Sequence, residues 1–220
     1  MQDKVIVLAV GSFNPPTFGH LRMLEDAKVY LEKMGKTVLG GIMSPVADAY
    51  GKSTLISAAH RVNMTIAATS DSDWIKVSDW EATQKQWTPT LELLKYHDKL
   101  SKETHGKDVD VVLLVGGDVV NTFPMLKSDG SPVWHMEDLV ELVKMGLVVQ
   151  PRDGSDPKKT IASIQELRHL ADKILIIEGT LGLNTSSSSS LRAAIAENHS
   201  IKYTTSDSVI DYIKEHQLYK

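Results

Sequence analysis

The segment from Gly11 to His20 carries the residue types that could do chemistry on a phosphate group. Gly11 follows an apolar run, and a residue without Cβ lets main-chain N–H groups approach an anion closely. Pro15 and Pro16 stiffen the turn that follows. Thr17 and His20 are three residues apart, so on the first turn of a helix they share one face. The pattern predicts a loop that binds nucleotide phosphates where the chain enters a helix.

A second anion site is predicted where a run of serines, residues 186–190, leads into Leu191 and Arg192. A serine run by itself is typical of a flexible linker. Here it leads into a segment that reads as a helix. A helix start with hydroxyls, main-chain N–H groups and an arginine on its first turn attracts anions. We therefore expect this helix start to face phosphate.

Two common nucleotide-binding motifs are absent. A dinucleotide fingerprint requires glycines two and five residues after Gly11, where Phe13 and Pro16 stand. A P-loop requires a glycine five residues before Gly-Lys-Ser/Thr, and neither such triplet, at 35–37 or 51–53, has one. The sequence therefore disfavours both a dehydrogenase and a P-loop ATPase.

Strands and helices must alternate to position these loops. Short apolar runs predict strands at Val5–Val10, Thr37–Met43, Ile75–Val77, Val109–Val115, Gly146–Val149 and Ile174–Ile177. Strands that are apolar throughout and separated by helices form parallel sheets covered on both faces, with ligands outside the carboxyl ends. The prediction is an α/β fold, a Rossmann-like doubly wound parallel sheet with helices on both faces. We expect a single domain over residues 1–220.

Four stripes of apolar residues spaced three and four apart predict helices. The stripes are Leu21, Leu24, Ala27 and Leu31; Ala59, Val62 and Ile66; Ile161, Ile164, Leu167 and Leu170; and Val209, Ile210 and Ile213. Ser206 is a candidate N-cap for the last helix. The polar segments Lys99–Asp108 and Gln150–Lys159 are predicted to be surface loops.

Composition excludes several classes of protein. The chain has 24 basic and 28 acidic residues, for a formal net charge of −4, which disfavours a general nucleic-acid binder. It has no cysteine, so a disulfide framework, a Cys-ligated zinc site, an iron–sulfur cluster and a thiol nucleophile are excluded. The first apolar run, Val5–Val10, is too short for a membrane span or the core of a signal peptide. We expect no nucleic-acid partner, no membrane association and a cytoplasmic location, with the nucleus left open.

The Gly11–His20 segment resembles the signature of the nucleotidylyltransferase superfamily, Gly-x-Phe-x-Pro followed by His/Thr-x-x-His. Further motifs resemble a eukaryotic-type nicotinamide/nicotinic acid mononucleotide adenylyltransferase over nearly the whole chain. They are residues 11–22, 44–50, 60–62, 80–81 with Trp87 and Thr90, 116–118, Trp134 with 137–138, 146–152, the serine run to Arg192, and 201–203. Several motifs in the same order make this resemblance far more specific than any one motif.

The resemblance implies that ATP and nicotinamide mononucleotide, or its acid form, give NAD, or deamido-NAD, and pyrophosphate. The nucleophile would be a phosphate oxygen that is already anionic, so no general base is needed. Catalysis would consist of positioning and electrostatic stabilisation of an in-line displacement. No Asp, Glu and His cluster has metal-ligand spacing, so Mg²⁺ is expected to arrive bound to ATP.

The resemblance also implies roles for particular residues. Catalysis would fall to His20, at the ATP phosphates, and to Arg192, at the β- and γ-phosphates. The residues implied to bind ATP are Gly11, Thr17, His20, Gly116, Asp118, Ser188, Ser189 and Arg192. A basic residue that is common in the family is replaced by Ser190, so one cation near the ATP phosphates is missing.

A second set of residues is implied to bind the mononucleotide or NAD. The set comprises Ser12, Phe13, Lys52, Trp87, Thr90, Trp134, Arg152 and Asn184. Trp87 and Trp134 would stack on the electron-poor pyridine ring, with Thr90 near the carboxamide. Arg152 would bind the mononucleotide phosphate through two hydrogen bonds. The implied partners are therefore ATP, a pyridine mononucleotide and further copies of the chain in a homo-oligomer.

Two other functions stay open at this point. The chain could be an adenylyl- or cytidylyltransferase with another phosphate-bearing acceptor, although two tryptophans fit a pyridine better. It could also be a non-catalytic nucleotide-binding or chaperone-like protein on the same fold. The residues that argue against this alternative are His20, Trp87, Asp118 and Arg192. The sequence does not determine the preference between amide and acid substrate, or the number of subunits.

Overall fold

The computed structural model describes residues 1–152, 154–178 and 187–220. The strands are β1 (Lys4–Gly11), β2 (Thr37–Pro45), β3 (Ile75–Val77), β4 (Val109–Gly116), β5 (Leu147–Gln150) and β6 (Ile174–Ile176). They form one six-stranded parallel sheet in the order β3-β2-β1-β4-β5-β6. The predicted α/β fold is therefore confirmed, and each predicted strand is present within two residues of its expected bounds.

The middle strands are buried because they are apolar on both faces. Every residue of β5 is buried, and in β4 only Asp110 is partly exposed. In the parallel register Ala9 lies opposite Leu114, and Gly116 lies opposite Gln150. A parallel sheet with both faces covered needs this continuous apolar character.

Helices alternate with the strands along the chain and connect them. They are α1 (Phe18–Lys33), α2 (Ala58–Ala68), α3 (Thr90–His105), α4 (Gly117–Val120), α5 (Met136–Met145), α6 (Pro157–Ser163), α7 (Ser188–Ala196) and α8 (Asp207–Glu215). Short 3₁₀ helices occur at Asp48–Tyr50, Glu81–Thr83 and Gln165–Lys173. Among the described residues, no helix has the length and apolar character needed to cross a membrane.

The first and last predicted helices are confirmed in detail. In α1, Leu24, Ala27 and Leu31 are fully buried, as the predicted stripe requires. In α8, Ser206 is the N-cap, and its side chain accepts a hydrogen bond from Val209 N at 3.3 Å. A serine oxygen in this position satisfies one of the main-chain N–H groups that a helix start leaves without an intrahelical partner.

The stripe predicted for α2 lies on the wrong face, although the helix itself is present. Ile66, which the prediction places in the core, is 52% exposed. The buried residues are Ala58, Arg61, Met64, Thr65 and Ala68. Apolar periodicity alone misses this face because its largest buried side chain is an arginine.

The stripe from Ile161 to Leu170 is buried as predicted but belongs to two elements. Helix α6 ends at Ser163, and Ile164 has extended dihedral angles, φ −94° and ψ 109°. The chain then continues as a 3₁₀ helix. The apolar residues of this stripe recur every third position, which matches the three residues per turn of that helix.

The loop predicted at Lys99–Asp108 is wrong, because α3 continues to His105. Its polar residues form the exposed side of a surface helix. Lys102 pairs with Asp98 one turn earlier at 2.7 Å, a spacing that supports a helix. The helix ends at Gly106, whose φ of 95° favours glycine. The other predicted loop, Gln150–Lys159, begins inside β5 and ends inside α6.

Close contacts divide the described residues into two compact units. The first unit contains Met1–Ala9, Asp26–Leu39 and residues 89–178. The second contains Val10–Glu25, Gly40–Thr88 and residues 187–220. Strands β1 and β2 each run from the first unit into the second. The expectation of a single domain over residues 1–220 stays a prediction.

Candidate active site

The loop after β1, in the second unit, is shaped by the buried ring of Phe13. Phe13 is 2% exposed and has a left-handed φ of 44°. A Cβ on Gly11 would stand 3.3 Å from Phe13 Cζ, so the glycine makes room for the ring. The same ring packs edge-on against His20, with 5.2 Å between ring centroids and an interplanar angle of 76°. Gly11 and Phe13 thus help to set the position of His20.

His20 is held by Thr17 on the first turn of α1. The main-chain N–H of Thr17 donates to His20 Nδ1 at 3.0 Å, and Thr17 Oγ1 lies 2.9 Å from the same nitrogen. An amide N–H can only donate, so Nδ1 is the acceptor, and the neutral ring carries its proton on Nε2. The arrangement therefore produces an imidazole whose Nε2–H is the donor, the form needed to bond a phosphate oxygen.

Three successive carbonyl groups of this loop, at residues 14–16, are bound by side chains from the C-terminal part of the second unit. Arg192 Nη1 donates to the first at 2.8 Å, Ser188 Oγ to the second at 2.7 Å, and Thr205 Oγ1 to the third at 2.8 Å. Arg192 Nη2 also donates to Ser189 Oγ at 3.1 Å. Ser188 and Arg192 therefore hold the backbone of the segment Gly11–His20, the phosphate-loop candidate, and Ser189 is bound through Arg192.

The start of α7 is a capping box formed by two serines. The side chain of Ser187 accepts from Ser190 N at 3.0 Å, and Ser190 Oγ accepts from Ser187 N at 3.0 Å. This reciprocal pair satisfies two main-chain donors of the helix start. Ser190 therefore has a structural role at this helix start. Asn184 and Ser186 lie outside the described residues.

A buried arginine supports the same loop from helix α2. Arg61 is fully buried, and its guanidinium donates to Ser12 O at 3.1 Å, Ile56 O at 2.9 Å and Asp48 Oδ1 at 3.1 Å. Asp48 Oδ1 also accepts from Ala58 N at 2.7 Å. Three acceptors compensate for the cost of burying this charge. Arg61 therefore ties α2, the 3₁₀ helix Asp48–Tyr50 and the phosphate-loop candidate together.

Glu81 is a second buried charge in this unit. Its side chain is 4% exposed and accepts a hydrogen bond from Ser44 Oγ at 3.2 Å. Burial raises the pKa of Glu81 to about 7, although the Ser44 hydrogen bond and the positive charge of Arg61 both lower the pKa. The carboxyl group therefore keeps its proton to a higher pH than an exposed glutamate does.

Two predicted ligand-binding residues of the second unit are exposed. Lys52 lies on the loop after the 3₁₀ helix Asp48–Tyr50, with its side chain in solvent. Trp87 is 51% exposed on the segment before α3. A half-exposed tryptophan offers a face for a planar ligand, since burial of the indole surface is favourable.

The end of β4, in the first unit, brings four predicted or neighbouring residues together. A Cβ on Gly116 would overlap Asp118 Oδ1 and stand 3.0 Å from Arg152 Nε. Arg152 Nε lies 3.6 Å from Asp118 Oδ1, beyond hydrogen-bond distance. Ser155 Oγ accepts from Arg152 N at 2.9 Å and donates to Arg152 O at 2.7 Å, which fixes the main chain of the arginine. Asp118 and Arg152 thus form a partly exposed pair at the carboxyl end of a strand.

Trp134 and Thr90 complete the predicted residues of the first unit. Trp134 is half-buried, with Nε1 donating to Thr122 Oγ1 at 2.9 Å and its ring edge-on to Phe123 at 5.2 Å. These contacts fix the plane of the indole. Thr90 is the first residue of α3, partly exposed after Pro89.

The carboxylate and imidazole side chains of the described residues were compared with what a metal ion needs. Among residues 1–152, 154–178 and 187–220, no group of three or more His, Cys, Asp or Glu side chains could hold an ion. Oxygen-rich coordination of Mg²⁺ would need such a set or a ligand's own phosphates.

Comparison with known proteins decides the family. Residues 8–194 match the cytidylyltransferase-like family. The chain is 46% identical over 219 residues to the nicotinamide/nicotinic acid mononucleotide adenylyltransferase 2 of Caenorhabditis elegans, covering 99% of this chain and 98% of that protein. The Arabidopsis thaliana nicotinamide/nicotinic acid mononucleotide adenylyltransferase is 40% identical, with 99% and 92% covered. The chain belongs to this adenylyltransferase family.

Solved structures of other proteins have the same fold as this chain. The Plasmodium falciparum nicotinic acid mononucleotide adenylyltransferase complexed with NaAD matches with a TM-score of 0.68 and 24% identity. The match covers 98% of this chain and 97% of that one. At this identity the likeness supports the fold alone, and it agrees with the six-stranded sheet.

Sequence reasoning missed four residues that organise the phosphate-loop candidate of this family member: Asn14, Arg61, Thr205 and Tyr219. Arg61 carried a usable signal, because it lies three and four residues from buried positions of α2. An arginine in such a stripe predicts a buried ion pair. Asn14 and Tyr219 contact each other across 205 residues of sequence, and no local pattern indicates that pairing.

Proposed function

We propose that this chain transfers AMP from ATP to nicotinamide mononucleotide or nicotinic acid mononucleotide. A phosphate oxygen of the mononucleotide forms a bond to the α-phosphorus of ATP. The bond from that phosphorus to the oxygen bridging the β-phosphate breaks, and pyrophosphate leaves with the electron pair. The products are NAD or deamido-NAD and pyrophosphate. The nucleophile is already anionic, so the protein must position two phosphates and stabilise charge.

The arrangement of Thr17 and His20 carries this proposal. The Thr17 N–H donates a hydrogen bond to His20 Nδ1 at 3.0 Å, so the proton of the neutral ring lies on Nε2. We assign Nε2–H to a phosphoryl oxygen of ATP at the reacting centre. A preorganised donor of this kind stabilises the charge that develops during displacement, without reorganisation during the reaction. The family membership supports the reaction class in which this donor acts.

The remaining residues of the second unit are assigned to phosphate and mononucleotide binding. Gly11, in the loop, and Thr17, where the loop enters α1, are assigned to ATP binding. Ser188, Ser189 and Arg192 act at the β- and γ-phosphates, with Arg192 supplying charge. Ser12, Phe13, Lys52 and Trp87 act on the mononucleotide, together with Asn184 outside the described residues.

The residues of the first unit are assigned to ribose, pyridine and phosphate groups. Gly116 and Asp118 are proposed to contact ATP, with the Asp118 carboxylate accepting from a ribose hydroxyl. Trp134 presents a fixed indole face for the pyridine ring, since Thr122 holds its Nε1–H. Thr90 is placed near the carboxamide. The Arg152 guanidinium, partly exposed beside Asp118, is proposed to bind the mononucleotide phosphate.

We propose Mg²⁺ as a companion of ATP. The described residues do not supply a metal site of their own, so the ion would be held by the triphosphate and water. When bound, it neutralises charge on the phosphates. The protein's own donors, His20 and Arg192, perform the remaining stabilisation.

Pyrophosphate release tests the function. Wild-type protein with ATP, Mg²⁺ and either mononucleotide should release pyrophosphate and form NAD or deamido-NAD. His20→Ala should lower kcat by roughly 10²- to 10³-fold, the usual loss for one transition-state donor. His105→Ala, at the end of α3, is the matched control and should leave kcat unchanged.

Absence of release with both mononucleotides, from folded wild-type protein, would contradict the proposed function. Release with a different phosphate-bearing acceptor would identify another transferase of the same superfamily. Binding of ATP with no release for any acceptor would favour a non-catalytic nucleotide-binding or chaperone-like role. The ratio of kcat/KM values for the two mononucleotides would give the amide or acid preference.

We further propose a homo-oligomer in the cytoplasm, with the nucleus open as a second location. The homo-oligomer is what the family resemblance implies. Light scattering coupled to size exclusion measures the mass against 24.3 kDa for one chain. Microscopy of the tagged full chain measures the location.

A further inference from the structure

Asn14 is a buried connecting residue within the phosphate-loop candidate. It is 1% exposed, and three of its polar atoms are bound by three separate segments of the second unit. Its Nδ2 donates to Thr54 O at 2.7 Å, on the loop that carries Lys52. Its Oδ1 accepts from Tyr219 Oη at 2.8 Å, and its carbonyl oxygen accepts from Arg192 Nη1 at 2.8 Å. The position of Asn14 is therefore coupled to the position of Arg192.

Tyr219 is fixed in place independently of Asn14. Its ring packs against the apolar cluster that α2, α7 and α8 share, which includes Met64, Leu191 and Ile213. The preceding residue, Leu218, donates its N–H to Ile213 O at 3.0 Å. Burial raises the pKa of the Tyr219 phenol well above its usual range, so the hydroxyl keeps its proton and remains a donor.

We propose that Tyr219 is a positioning residue for the transfer reaction. It acts through Asn14 on the phosphate-loop candidate and on Arg192. The inference rests on the proposed function, since it names a further residue of the same site. A tyrosine anchored in the apolar cluster holds the Asn14 side chain in one rotamer. With that rotamer fixed, the carbonyl of Asn14 presents a constant acceptor to the guanidinium of Arg192.

The loop itself has few main-chain donors that could replace the Tyr219 hydroxyl. Pro15 and Pro16 have no N–H, so they donate no main-chain hydrogen bond. The carbonyl groups of residues 14–16 are all directed to the C-terminal segment, and Thr17 N is committed to His20. Loss of the Tyr219 hydroxyl would leave Asn14 Oδ1 buried without a donor, and the side chain would rotate to find one.

The test is Tyr219→Phe, which removes one oxygen and keeps the ring in the apolar cluster. We expect kcat for pyrophosphate release to fall roughly ten- to a hundredfold, because small displacements of positioning groups have effects of that size. The KM for the mononucleotide should change by less than roughly threefold. The variant keeps the contacts that bind the mononucleotide equally well in the ground state and in the transition state. Thermal unfolding must show the variant folded at the assay temperature.

Tyr203→Phe is the matched control. Tyr203 also lies in the C-terminal segment and also has a left-handed φ of 65°, but it is 80% exposed. This variant should keep the wild-type kcat. A double-mutant cycle with Asn14→Ala completes the design. If Tyr219 acts through Asn14, the two losses in kcat will be strongly non-additive.

Several results would overturn the inference while the proposed function stands. They are a Tyr219→Phe enzyme with wild-type kcat, a loss equal to that of Tyr203→Phe, or losses with Asn14→Ala that multiply independently. A fall in kcat that only follows a fall in the folded fraction would overturn it as well. Absence of activity in the wild type would instead contradict the proposed function.

Discussion

At the scale of single residues, two buried charged side chains, Arg61 and Glu81, distinguish this molecule. Arg61 is fully buried with acceptors on three segments, whereas Glu81 is buried with one hydroxyl donor, Ser44. Charges removed from water are stable only when hydrogen bonds and opposite charges compensate. Arg61 meets that condition. Glu81 meets it only partly, so its carboxyl group holds its proton to a higher pH than an exposed glutamate.

Glu81→Gln should change the pH dependence of stability. The folded-state pKa of about 7 lies above the ordinary value of 4.5, so folding favours the protonated form. Its contribution is fully present below pH 4.5 and is lost as the pH rises to 7. The glutamine variant should match wild type in acid and exceed it by up to about 3 kcal/mol at pH 8.

Urea denaturation from pH 4.5 to pH 8 measures this difference. His97 is also buried, and burial lowers its pKa to about 4. Its contribution to folding stability therefore rises with pH, whereas that of Glu81 falls. Since His97 is present in both proteins, the difference between them isolates Glu81. The exposed Glu32→Gln is the control and should follow wild type. A constant difference across the pH range would contradict the prediction.

At the scale of elements, the turn from β4 into α4 depends on two glycines packed against a neighbouring loop. A Cβ on Gly117 would overlap Ser155 Oγ and lie 2.9 Å from Ser155 Cβ. That serine fixes the main chain of Arg152. The close approach of these two segments, more than any freedom of φ, is what requires glycine here.

Gly117→Ala should therefore destabilise the first unit by roughly 1–3 kcal/mol, the usual cost of overpacking. The free energy of unfolding from urea titration measures it. Gly40→Ala is a matched control in β2, because its Cβ would have only an ordinary contact, 3.6 Å from Trp74 O. Adding Ser155→Gly should restore much of the loss. An additive double variant would show that Ser155 is not the obstacle.

Helix α2 shows how one element serves two purposes. Its buried side contains Met64 and Ala68, which pack into the apolar cluster, and Arg61, which holds the phosphate-loop candidate. Its exposed side contains Ile66. A helix face is thus selected by the whole set of partners available to it, in which satisfied polar groups count as much as apolar ones.

For the molecule as a whole, ligand binding should appear as added stability. A ligand that binds only the folded state stabilises it by about 2.7 kcal/mol at a hundred times Kd. For a chain of 220 residues this corresponds to a rise in Tm of roughly 5–10 °C. ATP with Mg²⁺ should produce such a shift in a thermal scan. Adenosine, which lacks the phosphates, should produce less, and an equal shift would contradict a phosphate-centred site.

Much of the fold could be predicted from local pattern. The strands are continuous apolar runs, and their burial on both faces requires the parallel sheet that is found. The Ser206 cap of α8 and the buried stripe of α1 are set within one or two turns of chain. The pairing of Thr17 with His20 follows from a spacing of three residues. Ordered motifs along the sequence were enough to identify the family.

What only the tertiary structure decided are the contacts between distant segments. The second-unit contacts of Asn14 with Tyr219 and Arg192 span 205 and 178 residues. The burial of Arg61 depends on acceptors from Ser12, Asp48 and Ile56, none of which lies on its own helix. Propensity and periodicity act over a few residues, whereas a buried polar group is stable only where folding brings its partners to it. The sequence predicted which groups would do the chemistry, and the tertiary structure decided what holds them in place.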